Sequence, residues 1–261
     1  MNFFSEGFIS KRSKPLISSE SINSLKSEHL KEGVSPIIAC IETPNQAFND
    51  HNIKDFLKNS TKLTDVDYFG DSIEQKVRGF KNMGDGSFVI SPIDSSDKFS
   101  QKFLDCTGLV VAGQKKETKE NISLLSHQNP AHFLNEEFWK TNFKNDLRQQ
   151  LQELKKKSVD KTVDVVIVGG NHFLNGEYSN SKEYRDNYLD SIKQLSEVVV
   201  EVFNFEPVVI TGPKTVRGRQ TDDVYYDNEH RRLYIVRKDI GDTTTESFLP
   251  RDIEKQEKKW K

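Results

Sequence analysis

Two residues in this sequence have the types and the placement of a nucleophilic pair: Cys106 and His127. A thiol attacks a carbonyl only as its thiolate, and an ordinary cysteine, with a pKa of about 8.5, is mostly protonated at neutral pH. An imidazole within hydrogen-bond reach takes that proton. The resulting imidazolium then stabilises the thiolate and can protonate a departing amine. Such a site also needs a group that orients the ring and backbone N–H donors for the developing oxyanion. The backbone of Cys106, Thr107 and Gly108 is the candidate for the donors, with Gly108 permitting close approach.

Most unpaired cysteines are small buried hydrophobes. Cys40, among Ile37, Ile38, Ala39 and Ile41, fits that description. Cys106 fits it less well, because Asp105 and Thr107 flank it and it stands just before an apolar run. The other histidines are less suited to its chemistry. His29 and His51 lie in polar stretches and are expected to be exposed, and His230 sits in a turn. His132 is the rival base. His172, after the Gly169-Gly170-Asn171 turn, is expected to line the same cleft. No histidine pair has a carboxylate at helical spacing, so no metal site is expected. Nor is a cofactor: Gly169-Gly170-Asn171 lacks the further glycine of a dinucleotide turn, and Thr211 to Arg219 lacks phosphate-loop spacing and reads as a basic loop at the rim.

The elements that must position the pair follow from the apolar pattern. Leu109 to Ala112 and Asn121 to Ser126 flank a polar turn, Gly113 to Glu120, and read as a hairpin with Cys106 before its first strand and His127 after its second. In an antiparallel pair the start of one strand lies beside the end of the next, which brings the two side chains to one end of the sheet. Val34 to Ile41, Ser87 to Ile90, Pro207 to Thr211, Val224 to Tyr226 and Leu233 to Arg237 read as further strands, the last two paired across Asp227 and Asn228. Val163 to Val168, ended by two glycines, reads as a central strand. Apolar spacing gives helices over Asp50 to Asn59, Glu136 to Lys157 and Tyr184 to Val202, and Pro92 to Asp97 reads as a loop.

The chain has 261 residues, enough for a sizeable core, and 34% hydrophobic residues against 30% charged ones. It divides into a polar, partly disordered lead-in over 1–33, one α/β domain over 34–240 and a charged tail over 241–261. A net charge of −2 gives no bias toward nucleic acid. Two cysteines make no disulfide framework, and no stretch has the length and hydropathy of a membrane span or signal peptide. A cytoplasmic location is expected, with secretion by a route that reads no cleavable signal as the alternative. The oligomeric state is not legible.

The run Asp105-Cys106-Thr107-Gly108-Leu109-Val110-Val111, a polar turn, and then Ile122-Ser123-Leu124-Leu125-Ser126-His127 resembles the active-site hairpin of the chemoreceptor glutamine deamidase CheD, whose fold is shared by cytotoxic necrotizing factor and related toxins. The order continues through Val165 to Gly170, the helix around Asn187 to Leu195, Val208 to Arg219 and the terminal strand pair, so it covers about Phe99 to Lys238. The resemblance implies an α/β fold with a two-layered β core flanked by helices. It also implies a cysteine hydrolase acting on a carboxamide, most directly a glutamine side chain of a protein substrate. Cys106 would be the nucleophile and His127 the base. CheD-like members and one related toxin place a threonine six positions before the cysteine, where its hydroxyl orients the imidazole; here that position is Ser100. The serine, a longer turn and the Leu-Leu-Ser-His run depart from CheD and argue against chemoreceptor modification as such. A cysteine peptidase or thioesterase, or an inactive binding module of the same fold, are the alternative expectations.

Overall fold

A computed structural model describes residues 28–43, 52–66, 78–79, 88–130, 137–170, 181–212 and 220–239. Residues 1–27, the tail over 241–261, Asn171, His172, His51, His132 and the loop after Gly212 lie outside the described residues.

Two mixed sheets stack face to face. The first runs β1 (Ile38–Glu42), β11 (Arg232–Asp239), β10 (Gln220–Asp227), β5 (Asp97–Phe103), β2 (Leu63–Asp65). The second runs β3 (Arg78–Gly79), β4 (Phe88–Ile90), β7 (Asn121–Gln128), β6 (Thr107–Gln114), β8 (Asp164–Gly169), β9 (Val208–Thr211). Between them lies one core, in which Val224, Tyr226, Leu233 and Ile235 meet Val110, Ala112, Leu125, Val166 and Val168. Each sheet is covered on its outer face. Helix α1 (Asn52–Asn59) lays Ile53, Phe56 and Leu57 on Phe99, Tyr225 and Tyr234. Helices α2 (Glu137–Lys157) and α3 (Ser181–Phe203) cover the second sheet with Phe143, Leu147, Leu151 and Leu154 and with Leu195, Val198, Val199 and Val202.

The periodicities explain the layers. On α2 the buried residues recur every three or four positions, which confines them to one stripe. Strands β6 and β8 are buried on both faces and are correspondingly continuous in apolar and small residues. β8 pairs antiparallel with β6 and parallel with β9, as a central strand should. Gly169 and Gly170 end it with φ of 81° and 78°, a left-handed turn open to glycine at little cost.

Several expectations need correction. Val34 to Ile41 is strand only from Ile38, because Ile37 spends its N–H on the Asp164 carboxylate instead of a ladder. His29 is not exposed: it is half-buried, stacks on Phe205 with ring centroids 3.6 Å apart, and bonds the Val163 carbonyl at 3.1 Å. With Lys31 donating its N–H to the Lys161 carbonyl, the end of the expected lead-in is part of the body. Finally, Asp97 opens a seven-residue strand, β5, which the polar sequence DKFSQKF conceals.

Candidate functional site

β6 and β7 form the expected hairpin, with Thr107 opposite Gln128 and Val110 opposite Leu125. The register is unchanged between those pairs, so Gly108 stands across from His127. Side chains alternate along a strand, so His127 shares the face of Leu125 and looks into the space between the sheets. Cys106, one residue before β6, packs into that same inter-sheet core. The hairpin therefore brings both residues to one end of one face. Cys106 keeps 6% of its surface exposed and His127 1%, so both are buried and the cysteine is the more accessible of the two.

Ser100 belongs to the other sheet. It lies on β5, fully buried, and its Oγ is 2.7 Å from His127 Nδ1. The same hydroxyl donates to the Val66 carbonyl at 3.2 Å. A carbonyl only accepts, so a hydroxyl that donates to Val66 offers its lone pair to Nδ1–H. That arrangement suits the tautomer with its proton on Nδ1 beside Ser100, in which base chemistry would run through Nε2.

A second side chain from β5 bears on the ring. Phe103 stacks on His127 with centroids 4.0 Å apart and planes 12° from parallel. Its ring occupies the space left by two glycines. A Cβ added at Gly108 would come 2.9 Å from Phe103 Cε1, and one at Gly169 would come 2.8 Å from Phe103 Cδ1. Gly169 and Gly170 also serve the cysteine, because the Gly170 N–H donates to the Cys106 carbonyl at 2.7 Å and fastens the residue to the end of β8. Thr107 and Gly108 lie within the ladder, flanked by β7 and β8. The Thr107 hydroxyl faces the helices, 2.6 Å from Ser191 Oγ and accepting from Gln128 Nε2 at 3.1 Å.

Four residues further back on β7 the two sheets are tied again. Lys98 Nζ, fully buried, donates to Ser123 Oγ at 3.0 Å, Ser96 O at 2.9 Å and Asp94 Oδ1 at 3.1 Å. Burial pushes the lysine down to about 8, against the opposing pull of Asp94. Burial alone would raise Asp94, but Lys98 and the bonds from Ser96 outweigh it and hold that carboxyl below its ordinary range. Among the described residues, no three His, Cys, Asp or Glu side chains gather as a metal site requires, and no helix is long and apolar enough to cross a membrane.

Sequence reasoning found the hairpin and Ser100 but not Phe103 or the Lys98 cluster. The one available signal, phenylalanines at 99 and 103, misleads, since strand alternation would put both on one face. Cys40, expected to be buried, is only half-buried on the α1 side of the first sheet. No family model matches the sequence, and no curated protein does.

Proposed function

We propose that this protein is a cysteine-dependent hydrolase that deamidates a carboxamide, with a glutamine side chain of another protein as the substrate class. The observation that carries the reading is the Ser100 bond to His127 Nδ1, which orients the imidazole and directs its other nitrogen to base chemistry on the face where Cys106 packs. The succession of elements from β6 to β11 also supports it, because it follows the order that the CheD and cytotoxic necrotizing factor resemblance implies.

In this reading His127 takes the Cys106 proton and the thiolate attacks the carboxamide carbon, forming a C–S bond. As the tetrahedral intermediate collapses, the imidazolium gives its proton to nitrogen, the C–N bond breaks and ammonia leaves. His127 then deprotonates a water that attacks the thioester, releasing the carboxylate and restoring the thiol. Ser100 holds the ring through both steps, and no cofactor takes part.

The burial of Cys106 favours one other reading, a binding module that kept the fold without turnover, since a packed thiol is what a structural cysteine shows. Iodoacetamide labelling at each cysteine against pH, with a His127→Ala control, separates the two. A hydrolase labels at Cys106 well below about pH 8 and loses that reactivity in the control. A Cys106 that labels as an ordinary thiol, or not at all in the folded protein, overturns the hydrolase. Ammonia release from glutamine-containing proteins without chain cleavage then distinguishes deamidation from peptidase or thioesterase chemistry.

A further inference from the structure

β5 does not run straight past the site. Phe99, Ser100 and Lys98 pair with Tyr225, Val224 and Tyr226 of β10, but Phe103 pairs with Asp222, which leaves one extra residue on β5 between Ser100 and Phe103. This is a β-bulge. At its heart Lys102 has φ of 62°, a left-handed backbone that is costly for a residue with a Cβ.

One side chain holds that conformation. Asp223 Oδ1 accepts the Lys102 N–H at 3.0 Å while its Oδ2 accepts Gln101 Nε2 at 3.0 Å, and Lys238 Nζ pairs with the same carboxylate. Asp223 is itself fully buried, so it binds both residues of the bulge from within the sheet.

The consequence is a change of face. In an unbroken strand Phe103 would point the same way as Phe99, toward α1. Instead Phe99 packs in the α1 core, and Phe103 packs in the inter-sheet core against His127. The glycines at 108 and 169 clear the space its ring takes.

We infer that Phe103 is a positioning residue for His127, placed by the Asp223-held bulge to fix the plane of the imidazole and to stabilise its protonated form through the face of the aromatic ring. This deepens the proposed hydrolase and rests on it for its purpose. A cation over an aromatic face is favoured by the ring quadrupole, more so when water is excluded. The imidazolium is the form that keeps a neighbouring thiol ionised, so Phe103 would favour the thiolate and imidazolium pair over the neutral pair. Among the described residues, other ionisable groups around the ring are few. Cys106 and Asp105 precede β6. On β5, Lys98 is committed to Asp94, Ser96 and Ser123. On β10, Asp222 is committed to Arg237 at 2.9 Å, and Asp65 on β2 shares the outer face of Phe99. β4 and β8 present Val89 and Val168.

The test is the titration of His127 followed by NMR in the full chain, wild type against Phe103→Leu, beside the pH profile of Cys106 alkylation. Phe103→Leu keeps an apolar side chain and removes the ring face. The His127 titration should fall by about one pH unit, and the midpoint of Cys106 labelling should rise by a similar amount. Phe103→Met, more adaptable in packing, should give the same two shifts if the leucine variant folds poorly. Lys102→Gly, which relieves the left-handed backbone, should leave both where they are. A folded Phe103 variant whose His127 titrates as in the wild type overturns the assignment. An ordinary Cys106 thiol in the wild type, indifferent to His127→Ala, overturns the hydrolase reading instead, and the histidine titration still decides the role of Phe103.

Discussion

β5 and β7 cross-link the two sheets twice, and the two links are built differently. At Lys98 and Ser123 a buried cation is surrounded by acceptors: a carboxylate, two backbone carbonyls and two hydroxyls. At Ser100 and His127, two residues along one strand and four along the other, a neutral hydroxyl fixes one ring nitrogen and a phenyl ring fixes the plane. The first arrangement saturates its charged group and ties the sheets together. The second orients a titratable ring without neutralising it. Inter-sheet burial alone therefore does not tell the two links apart; the kind of partner does.

The comparison predicts that the two links fail in opposite ways. His127→Asn keeps an N–H for Ser100 but has two fewer heavy atoms and supplies no base. On the proposed reading it should reduce ammonia release by about a thousandfold while costing less stability than the loss of Lys98. Lys98→Ala should do the reverse. It takes the ammonium from the Ser123 hydroxyl and the Ser96 carbonyl and empties a fully buried site, while Asp94 keeps Ser96 and Lys62, and it should cost about 2–5 kcal/mol of stability. The alkylation profile of Cys106 should stay in place under conditions where the variant remains folded. If Lys98→Ala instead moved the Cys106 profile and left stability alone, the division between the two links would be wrong.

The lysine also gives the difference a pH signature. Its folded pKa is about 8 against an ordinary value of 10.5. Between those values the unfolded chain binds more protons, so stability rises with pH across that window. Below about pH 8 both states are protonated and the cost of burying the ammonium is fully present. Tyr226, Tyr234 and Cys40, all raised by burial, act oppositely once the pH passes their ordinary values. The difference in unfolding free energy between wild type and Lys98→Met, measured from pH 7 to 9, isolates the lysine. It should move in favour of the wild type by about 1 kcal/mol per pH unit once above pH 8; a flat difference would mean that Lys98 keeps an ordinary pKa.

How much could be read from the sequence follows the same contrast. The hairpin, the central strand β8 and both long helices announce themselves because their burial is apolar and periodic. β5 does not, because Lys98 and Gln101 are buried polar residues and the bulge at Lys102 breaks the alternation between Phe99 and Phe103. Pattern reading assumes that polar residues face water, and this strand fails the assumption at the positions that serve the site. Ser100 was legible only by its offset from Cys106 in a resemblance, since nothing in DKFSQKF distinguishes it from a surface serine.

Ser100 is where the smallest effect should appear, and its direction is specific. Ser100→Ala removes the acceptor of Nδ1–H and leaves the Val66 carbonyl without the donor that Ser100 supplies. The ring keeps its stacking on Phe103, so it should retain its plane and lose only the preference for one tautomer. A loss of about tenfold in turnover is expected, the equivalent of one hydrogen bond at about 1.4 kcal/mol, with substrate affinity little changed. Ser100→Thr keeps the hydroxyl and should recover most of the activity if β5 accommodates the extra methyl against Val224, opposite it in the sheet. Recovery by threonine and not by alanine would show that the hydroxyl, and not the volume, is what His127 requires. Equal loss in both, with Ser100→Thr as stable as the wild type, would mean that the hydroxyl is not what His127 requires.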